Sequence, residues 1–269
     1  MDATRATPAH GVEDVGDDSR EWSAQRMSLL AWAGIVGPVL FTAAFLAQEA
    51  FRRGEYDPLA EPVSALAAGP NGWVQNVNFV VFGLLTLAFA VGLHRGMRPT
   101  RAGIAGPALL FISGVGLLLG AAFPLREDAA GVTYDPGGHI IAGLTFFLSS
   151  SLGLVVLSRR LARDPRWRSI AAYTLASGVV AVIAFVIGGL FLVPDDALLH
   201  DWAGLHQRVL VIAVVFPCRI VLSLRLLQVA TGGRNEGAST SPVTRRSRVL
   251  PSVDELTRPS SVPSSEGSR

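Results

Sequence analysis

Charge is what this sequence has least of. Only 16% of its 269 residues are Asp, Glu, Lys or Arg, whereas a soluble domain carries about a quarter. With half the residues hydrophobic and a mean hydropathy of +0.42, the deficit points to lipid as the solvent rather than to an outsized core. Lysine is missing altogether: the 23 basic residues are all Arg, and most lie in loops and tails rather than along one face. A net charge of only +2 adds no basis for a nucleic-acid partner. Cysteine occurs once, as Cys218, which excludes an internal disulfide and any Cys-based metal cluster. Its apolar setting reads as a buried, inert thiol. A basic leader is missing too. Residues 1–26 carry Asp2, Glu13, Asp14, Asp17, Asp18 and Glu21, and the first apolar run is of spanning length without a small-residue cleavage site. That run is expected to stay as a span.

What is present is six long apolar runs, at about 28–47, 73–93, 102–123, 139–157, 169–192 and 206–228. Each reaches the roughly 20 residues that cross about 30 Å of hydrocarbon at about 1.5 Å per residue. They are continuous rather than alternating, so they predict helices and not barrel strands. The expected fold is all-α: a polytopic transmembrane six-helix bundle over 28–229, with disordered tails over 1–27 and 230–269. The second tail is rich in Ser, Pro, Gly and Arg and has too little apolar surface to offset chain entropy.

Arginine placement predicts orientation. Loop 94–101 carries Arg95, Arg98 and Arg101, and loop 158–168 carries Arg159, Arg160, Arg163, Arg166 and Arg168. The alternate loops hold only Arg52 and Arg53, then Arg126, then none. The Arg-rich side is expected to be cytoplasmic, with both termini there and the chain a multi-pass protein of the cell membrane.

Polar residues gather at the outer ends of spans two, four and six: Gln75, Asn76 and Asn78; Asp135 and His139; His200, Asp201, His206, Gln207 and Arg208. If the helices form one bundle, these ends share a membrane face, with Asp57 and Ser64 of the first loop folded over them. The candidate ligand-binding set is Ser64, Asn78, His139, His206 and Arg208, and plain interfacial solvation is the competing reading. His139 and His206, with Asp57 or Asp135, are also candidate zinc ligands. The sequence has no His-x-x-x-His or His-Glu-x-x-His spacing to strengthen that reading, and it specifies no cofactor. Arg219, two residues after Pro217 in span six, is expected to bond carbonyls freed by the proline, to pair with an acidic ligand, or to snorkel outward. Gly116-Leu117-Leu118-Leu119-Gly120 and Gly188-Gly189 have helix-packing spacing, within one chain or between copies.

Several short motifs, taken in order, resemble a known family. They are Ser64-Ala65-Leu66-Ala67, Asn78-Phe79 with Gly83, Phe123-Pro124, His139, and Gly204-Leu205-His206-Gln207-Arg208. They resemble a prokaryotic six-span family catalogued as domain of unknown function 998, over about residues 28–229. The resemblance implies six spans and a shared outer site around Ser64, Asn78, His139 and Arg208, but no activity. Ala67 departs from the family's usual glycine, and Leu125-Arg126 follow Phe-Pro before any acid.

Three functions fit these residues. The first is binding or transport of a lipid or small amphiphile in an outer polar pocket, where Arg208 would hold an anionic headgroup. The second is an accessory role through glycine-rich faces. The third is a membrane-embedded, metal-dependent lipid hydrolase using His139 and His206. Whether the chain is an enzyme is left open by its sequence.

Overall fold

The computed structural model describes residues 14–98, 103–192 and 196–239, with side chains described over 24–98, 103–192 and 196–231. In hydrocarbon the backbone has no partner but itself, and the apolar runs accordingly form helices. Six are long and apolar enough to cross a membrane: Ala24–Phe51, Gly72–Gly96, Ala105–Ala122, His139–Arg163, Arg168–Phe191 and His200–Thr231. Each overlaps an expected run almost completely.

The helices are α1 (Asp14–Phe51), α2 (Gly72–Gly96), α3 (Ala105–Ala122), α4 (His139–Arg163) and α5 (Ala171–Phe191). The sixth span is composite. It comprises a 3₁₀ turn at His200–Trp202, α6 (Ala203–Val209), a π-helical turn (Leu210–Val215) and α7 (Phe216–Ser239). A small antiparallel hairpin, β1 (Arg126–Glu127) with β2 (Thr133–Tyr134), fills the α3–α4 loop. Because α1 begins at Asp14 and α7 ends at Ser239, residues 14–27 and 230–239 of the expected tails are helical. The rest of both expected tails lies outside the described residues.

Helices adjacent in sequence pack side by side from α1 to α5, and α7 closes the bundle against α1. Glycine sets the closest approaches. A Cβ on Gly116 would lie 2.6 Å from the Phe146 backbone nitrogen, and one on Gly106 would lie 2.7 Å from the Leu157 Cα. These positions hold α3 against α4, so part of the expected small-residue pattern serves packing within the chain. The buried side chains form two clusters. The outer one is aromatic: Phe41 stacks on Phe82 at 4.8 Å, and Phe82 meets Phe216 edge-on at 5.4 Å. The inner one is mostly aliphatic, built on Leu93, Leu157, Leu161, Leu222 and Leu226 around Trp167.

Proline shapes the sixth span. Pro217 has no N–H, and in a regular helix its ring would clash with the carbonyl four residues back. The π turn just before it relieves that crowding, and Phe216 N–H donates to Val211 O, five residues earlier.

Two side chains tie the Arg-rich loops together. Arg160 donates to the carbonyls of Gly103, Met97 and Arg98, the last two at 3.1 Å, and so satisfies the chain leaving α2. Asp164 accepts from Arg98 N at 3.2 Å and from the Arg166 guanidinium at 2.8 Å. The Arg166 hydrogen bond, outweighing burial, lowers the Asp164 carboxyl from its ordinary 3.8 to about 2. A depressed folded-state value means the stabilisation is complete above pH 3.8 and disappears as pH falls through about 2. Thermal melts between those two pH values are therefore expected to lose stability. Asp164→Asn should flatten that part of the profile, and an unchanged slope in the variant would show that other groups carry it.

Candidate functional site

The first outer loop folds over the start of the sixth span, as expected, and the contact that holds it there is Arg208. Its Nε and Nη2 donate to Glu49 Oε1 at 3.0 and 2.6 Å, and Nη1 donates to the Glu61 carbonyl at 2.9 Å. Nη2 also reaches the Tyr56 hydroxyl, and the guanidinium lies 5.6 Å from that ring. Burial pushes the Tyr56 hydroxyl well above the ordinary phenol range despite the nearby Arg208, so it stays protonated. It donates to the carbonyls of Glu61 and Pro62 at 3.1 and 3.0 Å. The loop in turn caps the helix: Gly204 N and Leu205 N donate to Ala60 O and Leu59 O at 3.1 and 2.9 Å. Gly204 is required there, because a Cβ would collide with the Glu61 carbonyl. Arg208 thus staples span one, the loop and span six, and is not presented to a ligand. Glu49 and Tyr56, its partners, were not singled out by the sequence reading.

Asn78 is also structural. Its Nδ2 donates to Phe41 O at 3.1 Å and Gln75 Oε1 at 3.2 Å, joining α2 to α1. Asp135 caps α4. Its oxygens accept from Gly137, His139 and Ile140 N–H at 2.8, 3.3 and 3.0 Å. Slight burial raises its pKa, but those N–H groups outweigh it and hold the carboxyl below its usual range. Asp57 accepts from Leu59 N at 2.9 Å within its own turn.

Ser64, His139 and His206 are arranged differently, around a cavity. The larger lobe, about 580 Å³, lies among α4, α5, α6 and the β1–β2 hairpin, and His206 and Gln207 line it. The second lobe, about 320 Å³, reaches inward toward α1, α2 and α3, and Ser64, His139 and Gln207 line it. Leu125, Leu144, Phe147 and Phe185 are common to both. The walls are overwhelmingly apolar, and the polar side chains sit toward the outer rim. Gln207 Oε1 accepts from Val63 N at 2.7 Å, which fixes its side chain between loop and cavity. His139 Nδ1 donates to Phe123 O at 2.8 Å and His206 Nε2 donates to Ala184 O at 2.9 Å. Carbonyls only accept, so each neutral ring keeps its lone pair on the other nitrogen. Among the described residues no three His, Cys, Asp or Glu side chains gather closely enough to hold a metal ion. The carboxylates expected to complete a zinc site, Asp57 and Asp135, are instead bound to backbone N–H groups.

Of the five expected site residues, His206 lines the larger pocket, Ser64 and His139 line the smaller one beside it, and Asn78 and Arg208 make hydrogen bonds between helices and loop. The aromatic pair Phe147 and Phe185, stacked at 6.1 Å, was missed. In sequence they are two phenylalanines among many in apolar runs.

The family comparison bears on this same outer end. The model of the family described as "Protein of unknown function (DUF998)" matches residues 35–222. The chain belongs to that family. The matched region runs from the first span into the last and contains the loop, the Arg208 staple and both cavity lobes. No curated protein and no solved structure matches the chain.

The staple makes a prediction. Removing one member of a buried ion pair leaves the other uncompensated, at a cost of about 3–5 kcal/mol. Arg208→Gln and Glu49→Gln are each expected to lower the melting temperature sharply, and the double variant to lose less than the sum of the two. Strict additivity in this cycle would mean that Arg208 and Glu49 do not depend on one another.

Proposed function

We propose that this DUF998 protein binds a lipid or small amphiphile in the outer-leaflet cavity between α4, α5 and α6, holding it or moving it between sites. The observation that carries this reading is the shape of the space. An apolar pocket of about 580 Å³ shares a wall of Leu125, Leu144, Phe147 and Phe185 with a second apolar pocket of about 320 Å³, and the polar groups of both come from loops and the first turns of helices. Sites for small molecules are typically about 300–1,000 Å³ and mostly apolar, with a few polar groups that set orientation. An acyl or similar tail fits the lobes, and Gln207, His206 and Ser64 are the groups available to a headgroup. The headgroup role expected of Arg208 passes to these neighbours, since its donors are engaged. The metal-dependent hydrolase reading has no ligand set among the described residues to support it.

The binding reading is tested with purified protein and a panel of lipids, fatty acids and amphiphiles, by thermal shift. One chemical class is expected to raise the melting temperature saturably. Leu144→Trp, which fills the junction of the two lobes, is expected to weaken that class by about tenfold. No shift with any member of a broad panel would remove the proposal.

We also infer that both termini face the cytoplasm of a cell membrane. Six spans return the chain to its starting side, and loops 94–101 and 158–168, which fall on that same side, carry the arginine excess. In a Cys218→Ala background, Ala129→Cys is expected to react with an impermeant maleimide in intact cells and Arg95→Cys only after lysis. The reverse pattern would invert the topology.

A further inference from the structure

Arg219 lies near the middle of the sixth span, His200–Thr231, and neither snorkels nor bonds a carbonyl freed by Pro217. It is 8% exposed, and its Nε and Nη2 have no hydrogen-bond partner. Phe82 and Phe89 each stand 5.0 Å from the guanidinium. Two rings interact favourably with a cation, but they do not replace the hydration of a full charge in hydrocarbon. Among the described residues no carboxylate pairs with Arg219, and no Asp or Glu occurs at 24–48, in α2 through α5, or at 202–231. Arginine does not deprotonate in proteins, so the charge stays.

The guanidinium lines a chamber of about 20 Å³ together with Ser113 and Ser150. Ser113 is at the middle of Ala105–Ala122 and Ser150 near the middle of His139–Arg163, so the chamber sits at the level of the bilayer centre. The two hydroxyls donate to Leu110 O and Phe147 O, at 2.7 and 3.1 Å. Hydroxyl hydrogens rotate freely, and both can turn toward a particle in the chamber. The space admits one water-sized particle, too little for an oxyanion.

We propose that this chamber is a binding site for a small monovalent anion of the halide class, which supplies the counter-charge that the described residues lack. A water molecule would fill the same volume and accept from the guanidinium, yet leave the charge uncompensated. A halide does both, and each serine becomes a further donor when its one hydroxyl proton turns from the helix carbonyl to the ion. Phe146 lines both this chamber and the inner apolar lobe, so it stands between the site and the outer cavity. The inference is independent of what the outer cavity binds.

The test uses the full chain in detergent, purified in chloride or in gluconate at equal ionic strength. Wild-type protein is expected to bind radiolabelled chloride saturably and stoichiometrically in equilibrium dialysis, and to melt several degrees higher in chloride or bromide than in gluconate. Arg219→Gln is expected to bind no chloride and to melt at the same temperature in both salts. Should that variant not fold, Ser113→Val retains the charge, narrows the chamber and is expected to weaken chloride binding by about tenfold. Wild-type protein with no bound chloride and equal melting in both salts would overturn the proposal, leaving a water-filled chamber. Undiminished binding in the folded variants would place the ion elsewhere and overturn it equally.

Discussion

A peptide group in hydrocarbon has nowhere to turn except another peptide group, and that constraint organises the whole molecule. It forces the apolar runs into helices and confines irregular backbone to the two ends. At those ends, loop carbonyls and N–H groups must be met by side chains or by helix termini. The polar side chains that do this are few. Arg160 gathers four carbonyls between the end of α2 and the start of α3, Asp135 gathers three N–H groups where α4 begins, and Arg208 joins a carboxylate, a phenol and a carbonyl from within α6.

Those assignments explain why Asn78 and Arg208, two of the five expected site residues, are engaged within the protein. A residue type with several donors in a low-charge sequence reads as functional, and Arg208 and Asn78 are functional in a structural sense: they hold the first loop and the first helix pair. What they leave is a cavity whose walls are nearly all apolar. The outer end is thus polar where it must hold itself together and apolar where it encloses space.

The helices were legible because length and continuity of apolar sequence decide them with little tertiary help. Loop 94–101 and loop 158–168 were legible as one side for the same reason. The cavity was not legible. Phe147 and Phe185 look like any lipid-facing phenylalanine, and only the placement of α5 against α4 makes them walls. Nor was the state of Arg219. Its closeness to Pro217 suggested carbonyl partners, but the π turn resolved the proline's crowding within the helix. The guanidinium was left to aromatic rings instead.

The sixth span explains why the space opens where it does. α5 packs along α4 but meets the sixth span mainly at the π turn, with slighter contact above and below it. Above that turn His206 bonds across to α5, at the Ala184 carbonyl, and both lobes lie at this end, with Leu210 and Val211 of the turn in their walls. Below it lies the Arg219 chamber, walled in part by Val215 and Phe216. One turn therefore separates an apolar space at the loop end of the sixth span from a charged one near its middle. It is also the turn whose hydrogen bonds depart from the α-helical pattern, beside a proline that can donate none. The shape of both spaces is set by the stretch of helix that the backbone constraint holds least tightly.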